Sequence, residues 1–174
     1  MALPTGLRSL GMTSLACALA ASVLVATACD PAAVGQTEKV TIAGKEFTLK
    51  TALNDDTRAK GLGGVSELGE FEGMIFVFPD SAVRSFWMKD CVMDIDIAFL
   101  DPLGIVTAVH TMPKEAPRGD NESLAAYSAR LKKYPSGAPA QFAIEVRPGT
   151  LTKLGIKRGS KIDLDLPRLK AAAK

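Results

Sequence analysis

Met74–Leu100, MIFVFPDSAVRSFWMKDCVMDIDIAFL, is the stretch whose reading decides the fold. Met74 to Phe78 is an unbroken apolar run, which suits a strand covered on both faces. Phe78-Pro79-Asp80-Ser81 carries turn chemistry, and Arg84 to Lys89 reads as the next strand. A change of phase between apolar and polar positions at Cys91-Val92 suits a bulge. From Asp94 the chain alternates, with Asp94 and Asp96 on one face and Ile95 and Ile97 on the other.

The alternation runs into Asp101-Pro102-Leu103-Gly104. Asp first, Pro second and Gly fourth fit a type I turn closed by a left-handed Gly, giving a three-residue hairpin loop. In that register Asp101 pairs with Ile105, Asp96 faces His110 and Asp94 faces Met112. A slip of one residue would separate Asp96 from His110, because side chains alternate with period two.

Outward from this hairpin the elements are short. Val40 to Leu53 reads as a hairpin turning at Gly44-Lys45. Asn54-Asp55-Asp56 supplies cap residues for a helix over Thr57 to Leu62, ended by Gly61, Gly63 and Gly64. Those glycines lack the order and the Lys-Ser or Lys-Thr of a phosphate loop. Beyond the hairpin, Pro113 to Asn121 is a loop, and Glu122 to Tyr134 is an amphipathic helix with Leu124, Tyr127, Leu131 and Tyr134 on one face. Gln141 to Val146 is a strand, Thr150 to Ile156 a helical turn, Lys161 to Leu166 a final strand, and Arg168 to Lys174 a basic tail. The expected fold is α+β and mostly β: a small, barrel-like antiparallel sheet with two or three short helices.

Residues 1–28 read as a signal peptide, with Arg8 in its n-region and an uncharged, Ala-rich h-region from Leu15 to Ala28. The segment ends in Ala26-Thr27-Ala28-Cys29, which resembles a bacterial lipoprotein signal lipidated at Cys29. Residues 29–39 read as a tether and 40–167 as the domain. The expected product is exported to the cell envelope, lipid-anchored at Cys29 or released into the periplasm or extracellular space. Only Arg8 among the charged residues precedes Cys29, so nearly all of the 21 basic and 19 acidic residues belong to the domain and its tether. That balance gives no electrostatic footprint for nucleic acid. Cys17 leaves with the signal and Cys29 is terminal, so Cys91 is the one cysteine left in the domain, without a disulfide partner. One Cys and one His do not make the usual zinc ligand set.

The series Arg58-x-x-Gly61-Leu62, Gly73-Met74-x-Phe76-x-Phe78, Phe86-Trp87-Met88-Lys89, Asp96-Ile97-x-Phe99-x-Asp101, Ile144-Glu145 and Gly149 resembles the bacterial and archaeal domain-of-unknown-function family 192. The resemblance covers about Thr48 to Leu166. It implies a small, mostly β, barrel-like domain, with no established activity, and both Arg58 and Glu145 belong to its pattern. A structural Arg58–Glu145 pair is the expectation. Departures from the pattern are Gly63-Gly64 where Met and a basic residue are usual, Cys91 where Thr is common, and Asp94 where Pro is common.

The candidate site residues are Arg58, Trp87, Lys89, Asp94, Asp96, His110 and Glu145. Asp94 and Asp96 stand about 6.7 Å apart on an ideal strand. Their repulsion is about 0.6 kcal/mol in water and about 2.5 kcal/mol at an effective dielectric of 20. Half-buried, the pair calls for a cation, a proton or a metal, although a bare D-x-D is a weak metal signal and the plain reading is a solvated hairpin face. Asp96 with His110 is the candidate catalytic pair. Cys91 is too far along the strand to join it and reads as buried and inert. Trp87 reads as core, or as a stacking surface if it lies at a groove mouth. No cofactor is expected. These features lead to an envelope-tethered, non-enzymatic binding module whose partner is a small molecule, a glycan or an envelope protein. The alternatives are a hydrolase of envelope glycans or peptides using Asp96 and His110, and a structural subunit of an envelope assembly docking through the Glu122–Tyr134 helix.

Overall fold

The structure, a computed structural model, describes residues 37–174. The signal segment and Cys29 lie outside the described residues. The fold is α+β and mostly β, built on one mixed sheet. β1 (Thr37–Ile42) and β2 (Lys45–Ala52) form the expected antiparallel hairpin, turning at Ala43-Gly44 rather than at Gly44-Lys45. α1 (Asp55–Lys60) then carries the chain across to β3 (Glu72–Ala82), which runs parallel to β2. The sheet continues through β8 (Ala140–Val146), β5 (Ile95–Leu100) and β6 (Val106–Met112), in the order β1-β2-β3-β8-β5-β6. A two-stranded ribbon pairs β4 (Ser85–Phe86) with β7 (Tyr134–Pro135). The remaining helices are α2 (Leu124–Arg130), α3 (Thr150–Lys153) and α4 (Leu166–Ala172).

The central strands are covered on both faces, as the Met74–Phe78 run requires. Ile75 and Val77 of β3 join Phe142, Ile144 and Val146 of β8 in one core, closed by Leu151 of α3 and Leu169 of α4. Met74 and Phe76 face the other way. They join Ile95, Ile97 and Phe99 of β5, with Leu62 and Met88 from loops and Tyr134 from β7 over that face.

Several expectations change. The sheet does not close into a barrel: Lys161 and Asp163 make single bridges to Ile105 and Thr41, one at each edge, and no strand forms over Lys161–Leu166. β3 runs on through the Pro79-Asp80 segment with a shift of register instead of turning there. The expected strand Arg84–Lys89 shrinks to Ser85–Phe86. The expected Glu122–Tyr134 helix starts at its Ser123 cap and ends at Leu131, because Tyr134 is drawn into the ribbon opposite Phe86. The basic tail is a helix: Asp165 caps it, and Leu169 and Ala172 are buried. Among the described residues no helix is long and apolar enough to cross a membrane.

The Asp101 loop forms as its sequence dictates. Asp101 N–H donates to Ile105 O at 2.9 Å, Gly104 has φ +80, and the Asp101 carboxylate accepts from Leu103 and Ile105 N–H. The register beyond it slips by one. Leu100 pairs with Val106, but Phe99 pairs with Ala108, leaving Thr107 as an extra residue. Asp96 therefore faces Thr111 and Ile97 faces His110. The cause lies far along the chain. Val106 N–H donates to Ser160 O, and Gly159 N–H donates to Val106 O. These bonds turn the Val106 backbone away from β5.

Candidate functional site

The slipped register dissolves the Asp96–His110 pair. Asp96 points into the α3–α4 side of the sheet, 1% exposed. Its Oδ1 accepts from Thr111 Oγ1 at 2.8 Å and its Oδ2 from Leu151 N–H at 3.0 Å, so the carboxylate ties β6 and the start of α3 to β5. His110 lies on the opposite face. Its Nε2 is 2.8 Å from Pro135 O and its ring meets Phe99 and Tyr134 edge-on. Asp94 is exposed and accepts from Lys114 N–H at 2.9 Å. The Asp94–Asp96 metal candidate has no third ligand: among the described residues no three His, Cys, Asp or Glu side chains come together as a metal-binding group.

Four other candidates converge. Arg58, Trp87, Lys89 and Glu145 line one cleft of about 420 Å³ on the Phe76 side of the sheet. Each is positioned by local chemistry. Asn54 caps α1 by accepting from Thr57 N–H, which sets Arg58 one turn along the helix, facing β3. Gly61 ends α1 with φ +50, and an added Cβ there would touch Phe76 Cζ at 3.4 Å. Gly64 N–H donates to Asp90 O at 2.9 Å, and Asp90 N–H donates to Tyr127 Oη at 2.9 Å. These two bonds fix the loop that carries Lys89 and Cys91. The glycine cluster is thus committed to the loop, and its Gly64 N–H is not free for phosphate.

Glu145 sits near the C-terminal end of β8, opposite Met74 on one side and Ile97 on the other. It is 5% exposed and its Oε2 has no hydrogen-bond partner. Burial pushes its carboxyl up from 4.5 to about 8, so at neutral pH the group is mostly protonated. Across the strand, Gly73 has no room for a side chain: an added Cβ would lie 2.2 Å from Glu145 O. The expected Arg58–Glu145 pair does not form. Arg58 donates instead to Val77 O at 2.8 Å, Asp55 Oδ1 at 2.7 Å and Lys174 O at 2.6 Å. A buried guanidinium satisfied by two carbonyls and a carboxylate has little reason to reach further.

The aromatic wall went unread in the sequence. Phe76, Phe78 and Phe86 pack edge to face, with centroids of Phe76 and Phe86 4.9 Å apart. Arg84 lies 3.6 Å over the Phe78 ring while bonding Asp80 Oδ1 at 2.8 Å and Ala140 O at 3.0 Å. That contact holds the Asp80 carboxyl below its ordinary range, the hydrogen bond from Arg84 acting first. The period-two spacing of Phe76 and Phe78 was the available signal, since it puts both on one face of β3. Trp87 is 39% exposed at the mouth, with Lys133 Nζ 3.3 Å over its ring. Cys91 also lines the cleft, but its thiol is pushed up to about 12, by burial first and then by the charges of Glu145 and Asp90. It is no thiolate at physiological pH.

The chain matches the model of domain-of-unknown-function family 192, described as an uncharacterized ACR, over residues 38–164, and belongs to that family. No curated protein matches it. Two solved structures are similar. A Novosphingobium aromaticivorans DSM 12444 protein of unknown function shares 26% identity at a TM-score of 0.58, over 74% of this chain and 85% of that one. A Sinorhizobium meliloti 1021 protein described as a candidate transcription regulator shares 20% identity at a TM-score of 0.57, over 72% and 89%. At that identity the second likeness concerns the fold alone.

Proposed function

We propose that this protein is an exported binding module, tethered to the cell envelope through Cys29, that holds a small molecule in the Arg58–Glu145 cleft without transforming it. The observation that carries the reading is the Glu145 carboxyl: buried, unpartnered at Oε2, and lining an aromatic-walled cleft. A buried polar atom without a partner costs about 1–3 kcal/mol, and a ligand that bonds it recovers that cost. A cleft of about 420 Å³ lies within the size range of small-molecule sites, and this one sets charged groups beside an aromatic wall.

Binding fits better than catalysis because the thiol and the guanidinium groups of the cleft are not poised to act with Glu145. The thiol beside it stays protonated, and Arg58 and Arg84 are spent on backbone carbonyls and aspartates. The hydrolase reading loses its Asp96–His110 pair to the register. Docking through α2 finds one large exposed apolar residue, Leu124 at 54%, on a helix shorter than expected.

The test is native mass spectrometry of the full chain purified from its own membranes. A co-purifying small molecule, retained in the wild type and lost in Trp87→Ala, is the expected result. A ligand-free wild type, or release of a chemically altered product, overturns the reading. Acyl labelling that disappears in Cys29→Ser checks the tether.

A further inference from the structure

The cleft has a polarity, and it points to one class of ligand. Glu145 and Phe76 lie on one face, Phe76 paired with Ala143 two residues along β8. The Arg84–Asp80 pair lies at the far end, where Arg84 Nε bonds Ala140 O, about 17 Å along the strand from Glu145. On the 87–94 loop that lines this cleft the cation is Lys89. Its Nζ comes only to 3.8 Å from Asp90 Oδ2, and its side chain is one-third exposed. The charged and titratable groups on this end are Glu145 on β8, Lys89, Asp90 and Cys91 on the 87–94 loop, and Arg58, Lys60 and Asp55 on α1.

A cationic ligand would meet Lys89 there. At two of the aromatic rings it would meet a competitor, since Lys133 lies over Trp87 and Arg84 and Arg58 flank Phe78. Cation–π attraction at those two rings is already met by the chain's own side chains. An anion meets the reverse: a Lys89 ammonium only loosely paired with Asp90 and a carboxyl that can donate. Hydrogen bonds from O–H to a carboxylate are among the strong ones.

Resting on the binding-module reading above, we propose that the cleft takes a ring-bearing organic carboxylate. Its carboxylate docks between Lys89 and the Glu145 carboxyl, and its ring lies along Phe76, Phe86 and Trp87. The chain's single tryptophan stands at the mouth, so its fluorescence reports occupancy directly.

The probes are phenylacetate, phenylacetamide and phenethylamine at millimolar concentrations, titrated into the full chain from pH 6.5 to 9. Phenylacetate is expected to shift Trp87 emission saturably, at least tenfold more tightly than the amide or the amine at pH 6.5. Its affinity falls by up to about tenfold per pH unit above pH 8, as the donor proton is lost. Glu145→Gln, which keeps a donor that does not titrate, binds phenylacetate with a flat pH profile. Lys89→Gln weakens it at least about tenfold at every pH. Tighter binding of phenethylamine, or equal binding of the amide, overturns the carboxylate assignment while the binding module stands. Saturation by none of the three overturns both.

Discussion

Glu145 shows how one residue's energetics separate a site from a core. Its carboxyl is held neutral by burial up to about pH 8, against 4.5 in the exposed form. Between those values the unfolded chain releases a proton that the folded chain keeps. Folding stability therefore falls as pH rises through that window, is unaffected by this group below about 4.5, and levels off above about 8. The full shift corresponds to at most about 5 kcal/mol. Glu145→Gln removes the titration, so urea unfolding at pH 5, 7 and 9 should show the variant losing far less stability with pH than the wild type. It should also be more stable at pH 9, by on the order of a few kcal/mol. A wild type whose stability does not decline between pH 5 and 9 contradicts a buried neutral carboxyl. Glu145 was visible in the sequence as an acid on an apolar strand. Its isolation was not, because that depends on where Arg58 spends its hydrogen bonds, and those acceptors come from β3 and from Lys174.

At the scale of elements the lesson lies in the β5–β6 hairpin. Its loop is local chemistry and was readable: Asp101, Pro102 and Gly104 specify it within four residues. Its register was not, because the extra residue at Thr107 answers to the backbone of Gly159 and Ser160. One residue of slip moved Asp96 from a proposed site into a structural joint. The consequence is measurable. Asp96→Ala leaves Leu151 N–H and Thr111 Oγ1 without their acceptor in a buried setting, which should cost about 2–4 kcal/mol by urea unfolding with an unchanged denaturant slope. Phenylacetate titration of the folded variant should match the wild type, since Asp96 lies on the face away from the cleft. A variant of near-normal stability with lost binding would return Asp96 to the functional site.

For the whole molecule, the mostly β class and the two-faced central strand followed from the apolar runs, whereas closure of the fold did not. Long-range closure falls to α4, where the sequence reads as a basic tail on account of Arg168, Lys170 and Lys174. Two buried positions decide otherwise: Leu169 joins the core that holds Leu151 of α3, and Ala172, one turn on, is also buried. The basic residues act as ties. Arg168 pairs with Glu38 on β1 and with Asp165, Lys170 Nζ donates to Pro102 O at 2.8 Å, and Lys174 bonds Leu53 O and Arg58. The last helix thus joins the first hairpin, α1 and the Asp101 loop. A solvated tail and a structural helix predict different behaviour. Leu169→Ala should cost about 2–4 kcal/mol, in the range for a fully buried leucine whose cavity does not collapse. Deleting residues 166–174 should cost more, lowering the thermal midpoint by well over 10 °C or preventing folding, because the chain loses the side chain, its ties and the cover over β3 together. Thermal and urea unfolding of both variants decide the matter. A deletion that melts with the wild type would return the segment to solvent and leave the Leu169 side of the core open.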